Sequence, residues 1–134
     1  MNIAIVPAFQ VDAIWPRLAK GFQRGCDRCE NGIEAGILWQ RCRSGQAFLI
    51  VAYEDDNLLA GSCWSFEEQD QRVVFRCLSL TGHGIKSWLA DMRAFTTRIA
   101  KENGASALVA EGRKGWMRMF PDAIENSRDY EVAI

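Results

Sequence analysis

Histidine is close to absent from this chain: His83 is the only one in 134 residues. The cysteines number five (Cys26, Cys29, Cys42, Cys63 and Cys77), an odd count that argues against a disulfide framework. Met1-Asn2-Ile3-Ala4-Ile5-Val6-Pro7 has no charged n-region and is too short for a signal peptide. Free thiols and a cytoplasmic location are therefore expected. Cys26-x-x-Cys29 has the spacing of half a zinc site, but no second close pair follows, so no metal is expected. No apolar run approaches the ~20 residues that span a bilayer, which excludes a transmembrane helix and predicts no membrane partner. Nor is there an excess of one charge. Sixteen Lys and Arg face 17 Asp and Glu, the net charge is −1 and the pI about 5.8. Such a balance offers no general attraction to nucleic acid. Repeats, low-complexity stretches and linkers are missing too.

What is present is a well-mixed chain, 49% hydrophobic and 25% charged. One domain over 1–134 is expected, burying roughly two-thirds of its unfolded surface. Asn2 to Val6 is β-branched, ends at Pro7 and reads as a strand. Val11, Ile14, Leu18 and Phe22 recur at helical spacing, with Pro16 in the early turns. Asn31 is the expected N-cap of a second helix, whose apolar positions are Ile33, Ile37, Leu38 and Cys42 and which stops near Ser44-Gly45. Ala47–Tyr53, Leu58–Phe66 and Val73–Leu80 are strand-like runs. Their short polar connections at 54–57 and 67–71 predict an antiparallel meander.

The stretch after this meander organises the rest. Thr81-Gly82-His83-Gly84 ends a strand and opens a helix, in which Ile85, Trp88, Leu89, Met92, Phe95 and Ile99 form one apolar stripe. Gly104 suits the residue that ends it. Ser106–Ala110 is then a strand, and strand–helix–strand of this length predicts a right-handed crossover and a parallel pair. Glu111-Gly112-Arg113-Lys114-Gly115-Trp116 opens an expected short helix to Phe120, closed by Pro121. Asp129–Ile134 reads as a last strand. A glycine turn at a helix N-terminus can turn backbone N–H groups toward an anion.

This order of elements resembles the GNAT fold, that of the acyl-CoA N-acyltransferase superfamily: an α/β fold with a mixed, mainly antiparallel sheet flanked by helices. In that family the turn after the fourth strand carries Arg/Gln-x-x-Gly-x-Gly/Ala and binds the coenzyme A pyrophosphate. Thr81-Gly82-His83-Gly84-Ile85-Lys86 falls in this register, with Gly84 on the first glycine. Thr81 stands where the family has Arg or Gln, Lys86 where it has Gly or Ala, and Trp88 where a small residue is common. The turn Gly112-Arg113-Lys114-Gly115-Trp116 is similar to one shared by small GNAT-like proteins of tailed bacteriophages and prophages, some of them virion-associated.

The resemblance implies acetyl-CoA or another acyl-CoA as cofactor, with an amine as acceptor. It implies a binding surface from Cys77, Leu78, Ser79 and Leu80 for the acyl oxygen and pantetheine, and from Gly82, His83, Gly84, Ile85 and Lys86 for the pyrophosphate. For proton transfer the chain offers Glu111, at the carboxyl end of the parallel strand, with Glu67 and Glu68 as further carboxylates in an expected turn. The family's acid is often a tyrosine on the short helix. None is there, which leaves Tyr130 as the nearest substitute. Arg113, Lys114 and Arg118 are candidates for an acidic partner. A second implied reading is a catalytically silent protein that acts through virion or other protein contacts. The family also ends in two strands where this sequence shows material for one, around Tyr130–Ile134. An uncovered edge needs a partner, and a homodimer through it is expected.

Overall fold

Short, largely apolar segments build a seven-stranded sheet in the computed structural model, which describes residues 1–27, 33–111, 120–126 and 129–134. The strands are β1 (Asn2–Val6), β2 (Phe48–Glu54), β3 (Asn57–Gln69), β4 (Arg72–Gly82), β5 (Ala107–Glu111), β6 (Ile124–Asn126) and β7 (Asp129–Ala133). They lie in the order β1-β2-β3-β4-β5-β7-β6, and only β4 and β5 run parallel. This is the mixed, mainly antiparallel α/β sheet that the sequence predicts.

The helices are α1 (Val11–Ile14), α2 (Ala19–Asp27), α3 (Ala35–Arg43) and α4 (Ile85–Glu102). The single helix expected over Val11–Phe22 is broken by a 3₁₀ turn at Trp15–Arg17. Pro16 has no N–H to donate to the carbonyl four residues back, so the chain tightens there before α2 begins. The expected N-cap Asn31 lies outside the described residues. The helix that follows starts at Ala35 behind Glu34, whose side chain makes no capping bond.

Helices cover the sheet on both faces. Val11, Trp15, Leu18, Phe22, Leu38 and Cys42 pack on Leu49, Val51 and Cys63 on one side. Trp88, Met92 and Ala100 of α4 cover Ile50, Trp64, Phe75, Leu108 and Val132 on the other. The α4 stripe is centred slightly off the expected one. Ile85 is exposed, while Thr96 is buried and donates its hydroxyl to Met92 O at 2.9 Å. A threonine that satisfies its own helix can occupy an apolar face.

Two expectations need correction. Glu67 and Glu68 are not in a turn: they are strand residues of β3, opposite Val74 and Val73. The turn is Asp70-Gln71, both at positive φ (51° and 66°), the backbone of a two-residue type I′ hairpin. The C-terminal region holds two strands rather than one. β6 pairs with β7 over Asp129–Glu131 and caps the edge that was expected to need a second chain. The expected short helix over Trp116–Phe120 lies, apart from Phe120, outside the described residues.

Candidate active site

β4 and β5 stay together only over Val74–Cys77 and Ala107–Ala110. Past the Cys77–Ala110 pair they part: β4 runs on to Gly82 and β5 ends at Glu111. A β-bulge at the same level bends β4. Its register against β3 passes from Cys63–Ser79 to Trp64–Cys77, leaving Leu78 without an opposite residue. Bulges kink a strand and increase its twist. Cys77, Leu78, Ser79 and Leu80 therefore lie along one wall of a wedge whose vertex is the Cys77–Ala110 pair. Cys77 itself is buried, with its Sγ 3.6 Å from Ser79 O.

Above the wedge sits the glycine turn, held from below at two points. His83 N donates to Leu59 O of β3 at 2.8 Å, and the indole of Trp88 donates to His83 O at 2.7 Å. Trp88 is thus buried beneath the turn and leaves its outer side open. The two glycines have different duties. A Cβ on Gly82 would fall 2.7 Å from both Leu59 O and Ala60 Cβ, so this glycine allows β4 to lie close against β3. Gly84 sits at φ +62°, ψ +48°, and an added Cβ would meet only Ser87 Oγ at 3.5 Å. Its role is conformational.

Gly84 is the N-cap residue immediately before α4, and no side chain caps that end. The first N–H groups of a helix have no intrahelical acceptor. Here they belong to an exposed turn that also carries exposed His83 and Lys86. Thr81 is turned away from the turn. A Cβ on Gly21 of α2 would lie 2.1 Å from Thr81 Oγ1, so this side chain is used in packing α2 on β4.

At the mouth of the wedge Glu111 stands directly opposite Asp129 of β7. Directly opposed residues share a face, and like charges there repel. Arg76 neutralises one of the two. Its Nη1 and Nη2 each donate to Asp129 at 2.8 Å, and its Nε pairs with Glu67. Gln69 adds a bond to Asp129 at 3.2 Å, and Arg72 Nη1 binds Glu131 at 2.8 Å. The Arg76 guanidinium is held well above its usual pKa, first by the hydrogen bonds it donates to Asp129, against burial. Glu67 is consequently an ion-pair partner. Glu68 is exposed and away from the wedge. Glu111 makes no ion pair among the described residues.

Tyr130 is the neighbour of Asp129 along β7 and so points to the opposite face from Glu111. There it lines a cavity of about 20 Å³ with Trp64, Ala110, Phe120 and Val132. Burial and then Glu125 push its phenol above the usual pKa. The structure therefore separates the two candidates for proton transfer. Arg113, Lys114, Trp116 and Arg118 lie outside the described residues. Among the described residues no group of His, Cys, Asp and Glu is arranged to hold a metal, and no helix is long and apolar enough to cross a membrane. The Arg76–Asp129 clamp escaped the sequence reading. Its only trace there is a pair of arginines, Arg72 and Arg76, four residues apart in the otherwise apolar first half of β4.

No family model matches the sequence, and no curated protein matches it. Solved structures do. The chain is similar to a ribosomal-protein-alanine N-acetyltransferase from Brucella melitensis biovar Abortus 2308, with 14% identity, 89% of this chain and 86% of that one covered, and a TM-score of 0.64. An aminoglycoside acetyltransferase from an uncultured soil metagenomic sample, in complex with sisomicin, matches at 14% identity over 93% and 90%, with a TM-score of 0.66. A GNAT family acetyltransferase from Brucella melitensis in complex with acetyl-CoA matches at 15% over 99% and 88%, with a TM-score of 0.57. At these identities the likeness is one of fold. The chain has the α/β fold of the GNAT acetyltransferases over nearly its whole length.

Proposed function

We propose that this chain is an acyl-CoA-dependent N-acyltransferase that carries an acyl group to an amine. One observation supports this above the rest: the parting of β4 from β5 directly beneath an uncapped helix N-terminus. The turn suits a pyrophosphate. Gly84 leaves it open, Trp88 braces it from below, and exposed Lys86 adds a positive charge within the first turn of α4. The backbone N–H groups of Ile85 and Lys86, with the Lys86 ammonium, would hold the diphosphate. The open edge of β4 over Cys77–Leu80 would receive the pantetheine arm. When bound, acyl-CoA supplies an acyl group activated as a thioester.

Glu111 takes the proton from the acceptor amine, directly or through a water. It stands at the carboxyl end of β5, at the wedge mouth, on the face where Arg76 has already engaged Asp129. We assign Tyr130 to lining the cavity on the other face and not to proton delivery. Calorimetric titration with acetyl-CoA tests the reading. One-to-one binding is expected, weakened about tenfold (roughly 1.4 kcal/mol) by Lys86→Glu. Absence of both heat and a thermal shift at millimolar acetyl-CoA refutes it.

A second reading draws on Thr81. The position where the family carries Arg or Gln is here committed to packing against Gly21. In that case the protein is a catalytically silent, phage-type relative acting in virion assembly or through other protein contacts, and the titration is blank.

A further inference from the structure

Cys42 and Cys63 lie outside the wedge and take no part in the chemistry proposed for it. Cys42 is in the last turn of α3 and Cys63 is in β3, beside the bulge and opposite Ser79. Their Sγ atoms are 3.7 Å apart, and the residues are 2% and 0% exposed. A disulfide has its sulfurs about 2 Å apart, so the pair needs to close by about 1.7 Å. α3 can supply such a shift. It is nine residues long, holds Gly36 in its first turns, and ends in the exposed Ser44-Gly45 turn.

We propose that Cys42 and Cys63 form a reversible disulfide in the presence of a peroxide, tying α3 to the sheet at the level where β4 leaves β5. The two thiols are chemically unequal. The hydrogen bond shared with Cys63 pulls Cys42 below the ordinary thiol pKa, against the effect of burial. Burial, followed by the Cys42 contact, pushes Cys63 well above it. Cys42 is accordingly the nucleophile.

Its thiolate attacks one oxygen of hydrogen peroxide. The O–O bond breaks, giving Cys42 sulfenic acid and hydroxide. The Cys63 sulfur then attacks the sulfenic sulfur, and the S–O bond breaks. The departing hydroxide takes the Cys63 proton and leaves as water. In total two thiols lose two electrons and two protons, and peroxide is reduced to two waters. Peroxide is close to water in size, and fraying of the last turn of α3 admits it. A small thiol reverses the bond by exchange. Cys77 does not compete from the same side, since it packs with the α4 cluster on the opposite face.

The native protein is treated with hydrogen peroxide, alkylated under denaturing conditions, digested and mapped by mass spectrometry. The expected product is a Cys42–Cys63 cross-linked peptide that disappears with dithiothreitol, accompanied by a raised Tm. In Cys63→Ser, which cannot form the disulfide but keeps a hydroxyl donor beside Cys42, Cys42 should stop at the sulfenic acid and be captured by dimedone. Recovery of Cys42 and Cys63 as free thiols, or linkage of either to another cysteine, overturns the proposal. So does failure of dimedone to label Cys42 in the Cys63→Ser protein.

Discussion

Arg76 is the residue whose loss should be felt most, and the structure allows its cost to be worked out. The guanidinium and the Asp129 carboxylate are 15% and 14% exposed, far from the solvated limit in which ion pairs contribute almost nothing. Two parallel bonds of 2.8 Å join them, and Nε engages Glu67 as well. For charges about 4 Å apart the attraction is about 4 kcal/mol at an effective dielectric constant of 20. Desolvation of both groups offsets part of this. Removing one partner of a buried pair costs about 3–5 kcal/mol. The remaining exposure, with the Gln69 amide still 3.2 Å from Asp129, places Arg76→Met lower, at about 2–3 kcal/mol. Methionine keeps an apolar stem over Val74, Ala107 and Val109, the buried patch beneath. Urea unfolding should show a lower midpoint with an unchanged slope. Neutralising the carboxylates in Arg76→Met/Asp129→Asn/Glu67→Gln should recover most of the loss, since an ion pair removed whole is far less costly than one broken. A cost below about 1 kcal/mol for Arg76→Met, or no recovery in the triple variant, would show that the clamp behaves as a surface pair and would refute the reasoning.

Four further outcomes are expected. Gly21→Ala should destabilise by about 1–3 kcal/mol in chemical denaturation, because its Cβ would fall 2.1 Å from Thr81 Oγ1, and Thr81→Ala should relieve part of that loss. Trp88→Phe removes the 2.7 Å bond to His83 O and leaves a carbonyl without its donor. It should lower stability by about 1–3 kcal/mol and weaken acetyl-CoA binding through a looser turn. Gly84→Ala forces a side chain into φ +62°, at a cost of about 1–2 kcal/mol in unfolding experiments, whereas exposed Lys86→Glu should shift stability by less than about 0.5 kcal/mol. The Arg93 hydrogen bonds hold the Asp122 carboxyl below its ordinary pKa. The stabilisation from this pair is full above the unfolded carboxyl's pKa and is lost as pH falls through the lowered value in the folded state. Tm measured across that acid range should therefore fall less steeply in Asp122→Asn.

The sequence by itself determined the elements whose physics is local. Strand-length apolar runs joined by short polar connections marked the meander, the i, i+3, i+4 stripe marked α4, and the strand–helix–strand spacing required a parallel pair. A glycine at the N-terminus of α4 was legible for the same reason, because the backbone there needs a positive φ that Gly84 adopts without strain. Features that depend on which residues meet were hidden. The Asp70-Gln71 hairpin lacks the usual glycine, so β3 and β4 ran longer than the local composition suggested, and Glu67 moved from a loop into an ion pair. β6 is three residues long and is defined by its partner β7, not by its own pattern. Only the tertiary structure decided that Gly82 serves the packing of β3 while Gly84 serves the turn, since the difference lies in what a Cβ would touch. It alone set Glu111 and Tyr130 on opposite faces, which follows from a register in which Asp129, not Tyr130, stands opposite Glu111. It alone brought Arg76 to Asp129 and Cys42 to Cys63, contacts that join residues 53 and 21 positions apart. Strand and helix propensities are written in neighbouring residues. The wedge, the clamp and the thiol pair come from sheet order and from the face each strand presents, and no local stretch of sequence encodes either.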